Sequence, residues 1–252
     1  MRISILLALL LGLILAGSAA AQNLAVPPAT PAPEPENILL LDLSSGGRVA
    51  IQLRPDVAPN PVARIKELAR KGFYDGLTFH RVIEGFMAQG GDPAGDGTGG
   101  SQLPDLKAEF NGLPHVRGAI AAARQGAADN ADAAAIAAAE NSANSQFYIM
   151  LDSRLSLDGR YTVFGRVIGG MSFVDAIEKG EPPVNPTRIL QASIAADNKA
   201  PPPPGQAVAA PAGPAAGGAT PQGVRAAGPA VPPPPSIRLP EAKPKAPPKK
   251  TR

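Results

Sequence analysis

Residues 73–100 are FYDGLTFHRVIEGFMAQGGDPAGDGTGG, and this stretch is the most informative about fold and site. Arg81 lies within the apolar run 79–83, which predicts a β-strand, and Phe86 and Met87 follow after a short turn. A buried or half-buried Arg is energetically costly unless it has a partner or a function. The stretch therefore predicts an apolar pocket with a fixed cationic donor at its edge, as in many binding sites. The alternative is that Arg81 points outward from an edge strand and only increases solubility.

The segments around this stretch predict an all-β domain. Residues 37–43 and 48–53 flank the turn sequence Ser-Ser-Gly-Gly and predict a β-hairpin. Apolar residues at helical spacing predict an amphipathic helix over 59–71, and a second helix is expected over 171–179. Short apolar runs separated by Gly predict the other strands of a barrel or sandwich. These runs are 77–83, 86–89, 119–122, 146–151, 161–168 and 187–195.

The N-terminal end of the chain has the composition of a targeting segment. A positive start at Arg2 is followed by an apolar run over 3–16 and by small residues over 17–21. This order is typical of a secretory signal peptide, so we expect cleavage after Ala21 and a periplasmic or secreted protein. An uncleaved membrane anchor is the alternative, although the apolar run is short for a full span. Residues 22–36 predict a Pro/Ala-rich linker before a folded domain over 37–197.

The C-terminal segment 198–252 predicts a disordered, basic tail. It holds 16 of the 30 prolines and is otherwise rich in Ala and Gly, so it cannot bury enough apolar surface to fold. Its eight Lys/Arg and one Glu give it a net charge of +7, which leaves −4 for the rest of a chain whose total is +3. The basic character therefore belongs to the tail, and no nucleic-acid partner is expected. A weak electrostatic contact of the tail with anionic envelope surfaces is expected instead.

Composition also limits the chemistry. The chain has no Cys, which excludes disulfides, thiolate metal sites and a Cys nucleophile. It has two His, so a His-rich metal site is not expected. The Ala-rich segment 125–141 predicts a short helix near 132–140, because Ala favours helix. This segment is either a surface insertion without a role or an element near the entrance of the site.

Three blocks of sequence resemble the cyclophilins, a family of peptidyl-prolyl cis-trans isomerases. They are FHRVI-x-GFM-x-QGGD over 79–92, NSQFYI over 144–149 and LDGRYTVFGRV over 157–167. The resemblance extends from about residue 38 to residue 195. It implies a closed eight-stranded antiparallel barrel capped by two helices, without a cofactor, acting on proline-containing segments of unfolded or folding proteins.

The resemblance also implies roles for individual residues. Arg81 is similar to the catalytic Arg, and Gln89 to the polar residue that supports it. Phe86, Met87, Tyr148 and Leu157 are similar to the walls of the proline pocket. The positions similar to those that line the peptide groove are His80, Ala123, Arg124, Gln146, Phe147 and Tyr161.

The implied reaction requires no covalent intermediate. An X-Pro bond rotates slowly because conjugation gives its C–N bond partial double-bond character. In the twisted transition state the proline nitrogen regains its lone pair, and a donor such as Arg81 would stabilise that state selectively. The sequence thus favours an isomerase of exported proteins. A peptide-binding module or holdase that uses the same groove without turnover is the alternative, and a main role for the tail as an anchor is compatible with either.

Overall fold

The computed structural model describes residues 28–203. The predicted signal peptide 1–21, the first part of the linker and the tail from residue 204 onward lie outside the described residues. The chain divides into two units at Pro31, and the described residues of the first unit, 28–31, have no regular structure. The fold below is that of residues 32–203.

Eight strands and three helices form this unit. The strands are β1 (Ile38–Leu43), β2 (Gly47–Leu53), β3 (Phe79–Ile83), β4 (Met87–Gly90), β5 (Ala119–Ala122), β6 (Phe147–Met150), β7 (Val163–Gly169) and β8 (Ile189–Ile194). The helices are α1 (Pro59–Arg70), α2 (Ala133–Glu140) and α3 (Met171–Asp175). Short 3₁₀ turns lie at Pro35–Asn37, Leu155–Leu157 and Ala195–Asp197.

The strands form one curled antiparallel sheet in the order β3-β4-β6-β5-β7-β2-β1-β8. The prediction of eight antiparallel strands is confirmed, and the β1–β2 hairpin pairs Leu43 with Gly47 across its turn. The predicted closure of the barrel is not shown, because the end strands β3 and β8 share no ladder. An isolated bridge between Thr78 and Arg188 joins the residues just before these two strands.

The sheet has apolar side chains on both faces. The inner core contains buried residues from all eight strands, together with residues of α1. A second group, here called the outer cluster, covers the other face of β4, β5 and β6. It consists of Phe86, Met87, Ala119, Ala121, Ala123, Tyr148, Met150, Leu157, Tyr161 and Val163. Because neighbouring residues of a strand point to opposite faces, β6 is buried on both sides.

The helices pack against the β1–β2–β8 part of the sheet. Helix α1 contacts β8 and buries Val62, Ile65 and Leu68, as its apolar spacing predicts. Helix α3 contacts β2, and its Phe173 ring occupies the space that a side chain at Gly47 would need. The predicted helix over 171–179 is therefore shorter than expected.

Helix α2 lies in the Ala-rich segment, close to the predicted position. The carboxylate of Asp132 caps it by accepting a hydrogen bond from the Ala135 amide at 2.8 Å. Only Ala139 of this helix is buried. The ends of the segment are tied together, since the Gln125 amide donates to Ser142 Oγ at 2.8 Å. The segment is thus a capped surface insertion whose ends meet beside β5.

Candidate active site

A bulge in β3 determines where Arg81 points. Phe79 pairs with Gly90, but Arg81 pairs with Gln89, so His80 is the additional residue in the register. As a result Phe79 faces the inner core, while Arg81 shares the opposite face with Gln89. Bulges of this kind often redirect side chains beside functional sites.

The guanidinium of Arg81 is held by a carboxylate. Its Nε donates to Glu181 Oε2 at 2.6 Å, and the Arg81 side chain is 12% exposed. Gln89 lies directly opposite Arg81 in the strand pairing. The side-chain amide of Gln89 donates to Gln146 Oε1 at 2.9 Å. The contact that fixes the Nε edge of Arg81 therefore comes from Glu181.

Gln146 links this group to the Gly-rich loop after β4. Its side-chain amide donates to the carbonyl oxygens of Gly97 at 3.0 Å and Gly99 at 2.8 Å. The loop is closed by Asp92, whose carboxylate accepts hydrogen bonds from the amides of nearby loop residues, including Gly97 at 2.6 Å. Arg81, Gln89 and Gln146 thus form one polar row beside the outer cluster.

The predicted pocket walls come together in the outer cluster. Phe86, Met87, Tyr148 and Leu157 all belong to it, and so does Tyr161, which the resemblance places at the peptide groove. Behind them β5 presents only the small side chains Ala119 and Ala121 to this face. These side chains form one buried apolar cluster on the face of the sheet that also carries Arg81 and Gln89.

The prediction that Phe147 lines the groove is wrong. Its side chain is fully buried in the inner core, where its ring makes edge contacts with Tyr74 and Phe79. The reason is strand alternation: because Tyr148 faces the outer cluster, its neighbour on β6 must face the other side. Phe147 therefore supports the strand from within.

A buried hydrogen-bonded chain lies behind the pocket wall. His115 is fully buried, with Nδ1 2.8 Å from Asp158 Oδ1 and Nε2 3.1 Å from the Tyr148 hydroxyl. With a neutral ring, Nδ1–H donates to the carboxylate and Nε2 accepts from the tyrosine. Burial lowers the pKa of His115, and the bond to Asp158 opposes that shift. Burial also raises the pKa of Tyr148 well above its usual value, so its hydroxyl stays protonated.

Tyr161 is a buried member of the outer cluster that contacts an arginine. Its ring makes edge contacts with Tyr148 and His115, and the Arg124 guanidinium lies over it at 4.6 Å from the centroid. Ala123 is buried beneath, in the outer cluster. Ala123, Arg124 and Tyr161 therefore lie together at one rim of the outer cluster.

His80 occupies the bulge and is buried. Neither of its ring nitrogens has a hydrogen-bond partner among the described residues. Burial lowers the pKa of His80, while the charge of Asp92 acts to raise it. A Cβ placed at Gly97 would lie 3.7 Å from its Nε2, so the ring packs beneath the Gly-rich loop.

Three residues of the site were missed by the sequence reasoning. Glu181 is 100 residues from Arg81 along the chain and lies in a loop without a motif. His115 gives only a weak signal in the sequence, as one of two His in the chain. Asp158 lies within the block LDGRYTVFGRV, but the family resemblance implies no role for it.

The described residues provide neither a metal cluster nor a membrane span. Between residues 28 and 203 no group of three or more His, Cys, Asp or Glu side chains is arranged to hold a metal ion. Within the same range no helix is long and apolar enough to cross a bilayer.

Comparison with known proteins places this geometry in a family context. Residues 39–194 match the model of the cyclophilin type peptidyl-prolyl cis-trans isomerase/CLD family. A Brucella suis protein named a probable peptidyl-prolyl cis-trans isomerase is 47% identical over 184 residues, which cover 67% of this chain and 87% of that protein. Peptidyl-prolyl cis-trans isomerase B of Bacillus subtilis is 40% identical over 141 residues, covering 55% and 89%. The crystal structure of cyclophilin AquaCyp293 from Hirschia baltica matches with a TM-score of 0.56 and 27% identity, covering 66% and 76%.

Proposed function

The chain belongs to the cyclophilin-type peptidyl-prolyl cis-trans isomerases, and from this premise we propose that it accelerates X-Pro rotation in exported proteins through Arg81. The substrate class is that of the family, proline-containing peptide segments. The observation that carries the mechanism is the position of the carboxylate-held guanidinium of Arg81 beside the apolar outer cluster.

Arg81 suits the transition state better than the ground states. Rotation about an X-Pro bond has a barrier of about 20 kcal/mol, because the planar amide is conjugated. In the twisted state the proline nitrogen becomes an acceptor, so a donor directed at it binds that state selectively. The apolar surface holds the ring and excludes water, which strengthens the hydrogen bond. The step breaks no covalent bond and forms none.

The surroundings of Arg81 support this role. The bond to Glu181 engages the Nε edge and fixes the plane of the guanidinium, which has further N–H donors at its other two nitrogens. A lysine in the same place would provide a point charge without that fixed plane. Preorganised donors of this kind lose little entropy when the transition state forms.

Turnover of a proline peptide tests the proposal. We expect wild-type protein to accelerate cis-trans exchange, with Arg81→Ala reducing kcat/KM by about 10²–10³-fold, as for the loss of one transition-state donor. Arg81→Lys should not restore the activity. Arg70→Ala is the matched control, since this exposed arginine lies on α1, which contributes nothing to the outer cluster. Peptide binding by the wild type without turnover would instead identify a binding module.

The N-terminal segment over 1–21 supports the proposal that the protein is exported. The order of charge, apolar run and small residues over 1–21 supports export and a mature start at Gln22. N-terminal sequencing of the exported protein tests this, and a retained Met1 would indicate an anchor.

The tail is proposed to tether the domain to anionic envelope surfaces. The chain leaves the domain beside β1 and β8, where Gln191 donates to the carbonyl of Ala200 at 3.2 Å. A tail of net charge +7 is attracted to anionic surfaces, and salt weakens that attraction. Proteins 22–252 and 22–197 should differ in sedimentation with envelope fractions at low salt only. Equal binding at low and high salt would contradict the tether.

A further inference from the structure

Two arginines at the rim of the pocket lack a counterion in the described structure. Arg124 lies over Tyr161, and Arg160 is exposed in the adjoining turn. Within residues 28–203 neither forms an ion pair. Five other arginines of this range, Arg48, Arg54, Arg70, Arg81 and Arg117, each pair with a carboxylate, whereas Arg64, Arg154, Arg166 and Arg188 do not.

The backbone holds the Arg124 guanidinium in place. Its Nη1 donates to the carbonyl of Gln125 at 2.9 Å, and Nε and Nη2 donate to the carbonyl of Arg160 at 3.3 and 3.2 Å. These bonds fix the orientation of the group over the Tyr161 ring but do not neutralise its charge. Asp158, the acid nearest to Arg160 in sequence, has its contact with His115. The charge is therefore preorganised and available to a carboxylate from outside the chain.

The electrostatic effect of this rim reaches the pocket. Burial raises the pKa of Tyr161, and the charges that oppose this shift are those of Arg124, Arg160 and Arg81. No carboxylate acts on Tyr161 in the same way. The charges of three arginines thus act on the Tyr161 ring, although the chain without its tail has a net charge of −4.

We propose that Arg124 and Arg160 make this site selective for proline segments that carry an acidic residue close to the proline. The inference rests on the proposed isomerase function and specifies its substrate class. A carboxylate on the bound segment would supply the counterion that the described residues do not provide. Because the rim is partly exposed, the gain should be modest, dependent on salt and mainly a gain in binding.

Matched peptides test the selectivity. Acetylated pentapeptides Ala-X-Pro-Phe-Z, with Glu or its neutral isostere Gln at X or Z, are compared by exchange NMR without a coupling protease. For the wild type at low salt we expect kcat/KM to be about threefold to tenfold higher with Glu than with Gln in at least one position. This Glu/Gln ratio should fall toward one in the double variant Arg124→Gln/Arg160→Gln and in high salt.

Controls separate the rim from general charge and from the reaction itself. The charge-matched double variant Arg70→Gln/Lys71→Gln, at the C-terminal end of α1, should keep the wild-type ratio. Arg160→Gln alone, at an exposed position, should lower the Glu/Gln ratio partly. This single variant replaces the double variant in the test if the double variant does not fold. The inference would be overturned if the wild type had a Glu/Gln ratio near one at both peptide positions, X and Z. It would also be overturned if the ratio persisted in the Arg124 and Arg160 variants. Neither result would contradict the isomerase activity. Absence of turnover on every peptide would instead refute the proposed function.

Discussion

The chain of hydrogen bonds behind the pocket wall predicts a strong energetic coupling between Tyr148 and His115. Tyr148→Phe removes the hydroxyl that lies 3.1 Å from His115 Nε2. The ring cannot compensate by changing tautomer, because Nδ1 must donate to Asp158. A fully buried acceptor is then left unsatisfied, so we expect a loss of about 1–3 kcal/mol in the free energy of unfolding.

A double-mutant cycle measures this coupling. His115→Leu leaves the Tyr148 hydroxyl unsatisfied and should also destabilise the fold, whereas Tyr148→Phe/His115→Leu removes both polar groups. The double variant should therefore lose less than the sum of the single variants, by about 1 kcal/mol or more. Urea unfolding at pH 7.5, with equal m-values in all four proteins, gives the four free energies. Additive losses, or a Tyr148→Phe variant more stable than the wild type, would refute the reasoning.

Three further predictions concern stability. Burial lowers the pKa of both His80 and His115 in the folded state, so the unfolded chain takes up protons first as the pH falls. The free energy of unfolding should therefore decrease below about pH 6.5. Urea midpoints between pH 5 and 8 measure this, and a midpoint that does not change with pH would contradict it. Gly165→Ala should destabilise the protein by about 1–3 kcal/mol, because the added Cβ would lie 2.6 Å from the Gln52 carbonyl oxygen. An unchanged melting temperature would show that β2 and β7 are not packed this closely at Gly165. Asp132→Ala should accelerate amide hydrogen exchange in α2 with little change in global unfolding, since α2 buries a single residue; equal exchange rates would mean that the cap contributes nothing.

The elements that the sequence predicts well are those with local periodicity. Alternation over 48–53 and helical spacing over 59–71 each determine which face is buried, and the structure has β2 and α1 there. The Asp132 cap and the Ala run likewise make α2 predictable from a short window. The second helix ends early, at Asp175, because its extent depends on packing against β2 rather than on its own sequence.

The positions of the site side chains could be predicted where strand alternation and the three sequence blocks agree, and not elsewhere. Tyr148 and Met87 follow from their strands, and applying the same alternation would have placed Phe147 inside. The bulge at His80 depends on a register shift of one residue, which no local pattern shows. Glu181 approaches Arg81 only after β8 and its preceding loop have packed near β3, so this contact is a property of the tertiary fold.

The central claim is that Arg81 binds the twisted state more tightly than the planar ones. The most direct measurement compares, for wild type and Arg81→Ala, the catalysed exchange rate of one proline peptide by NMR with its dissociation constant by calorimetry. We expect catalysed exchange to fall by about 10²–10³-fold while the Kd changes by less than about threefold. A Kd that rises in parallel with the loss of catalysed exchange, or exchange that persists in Arg81→Ala, would contradict the account.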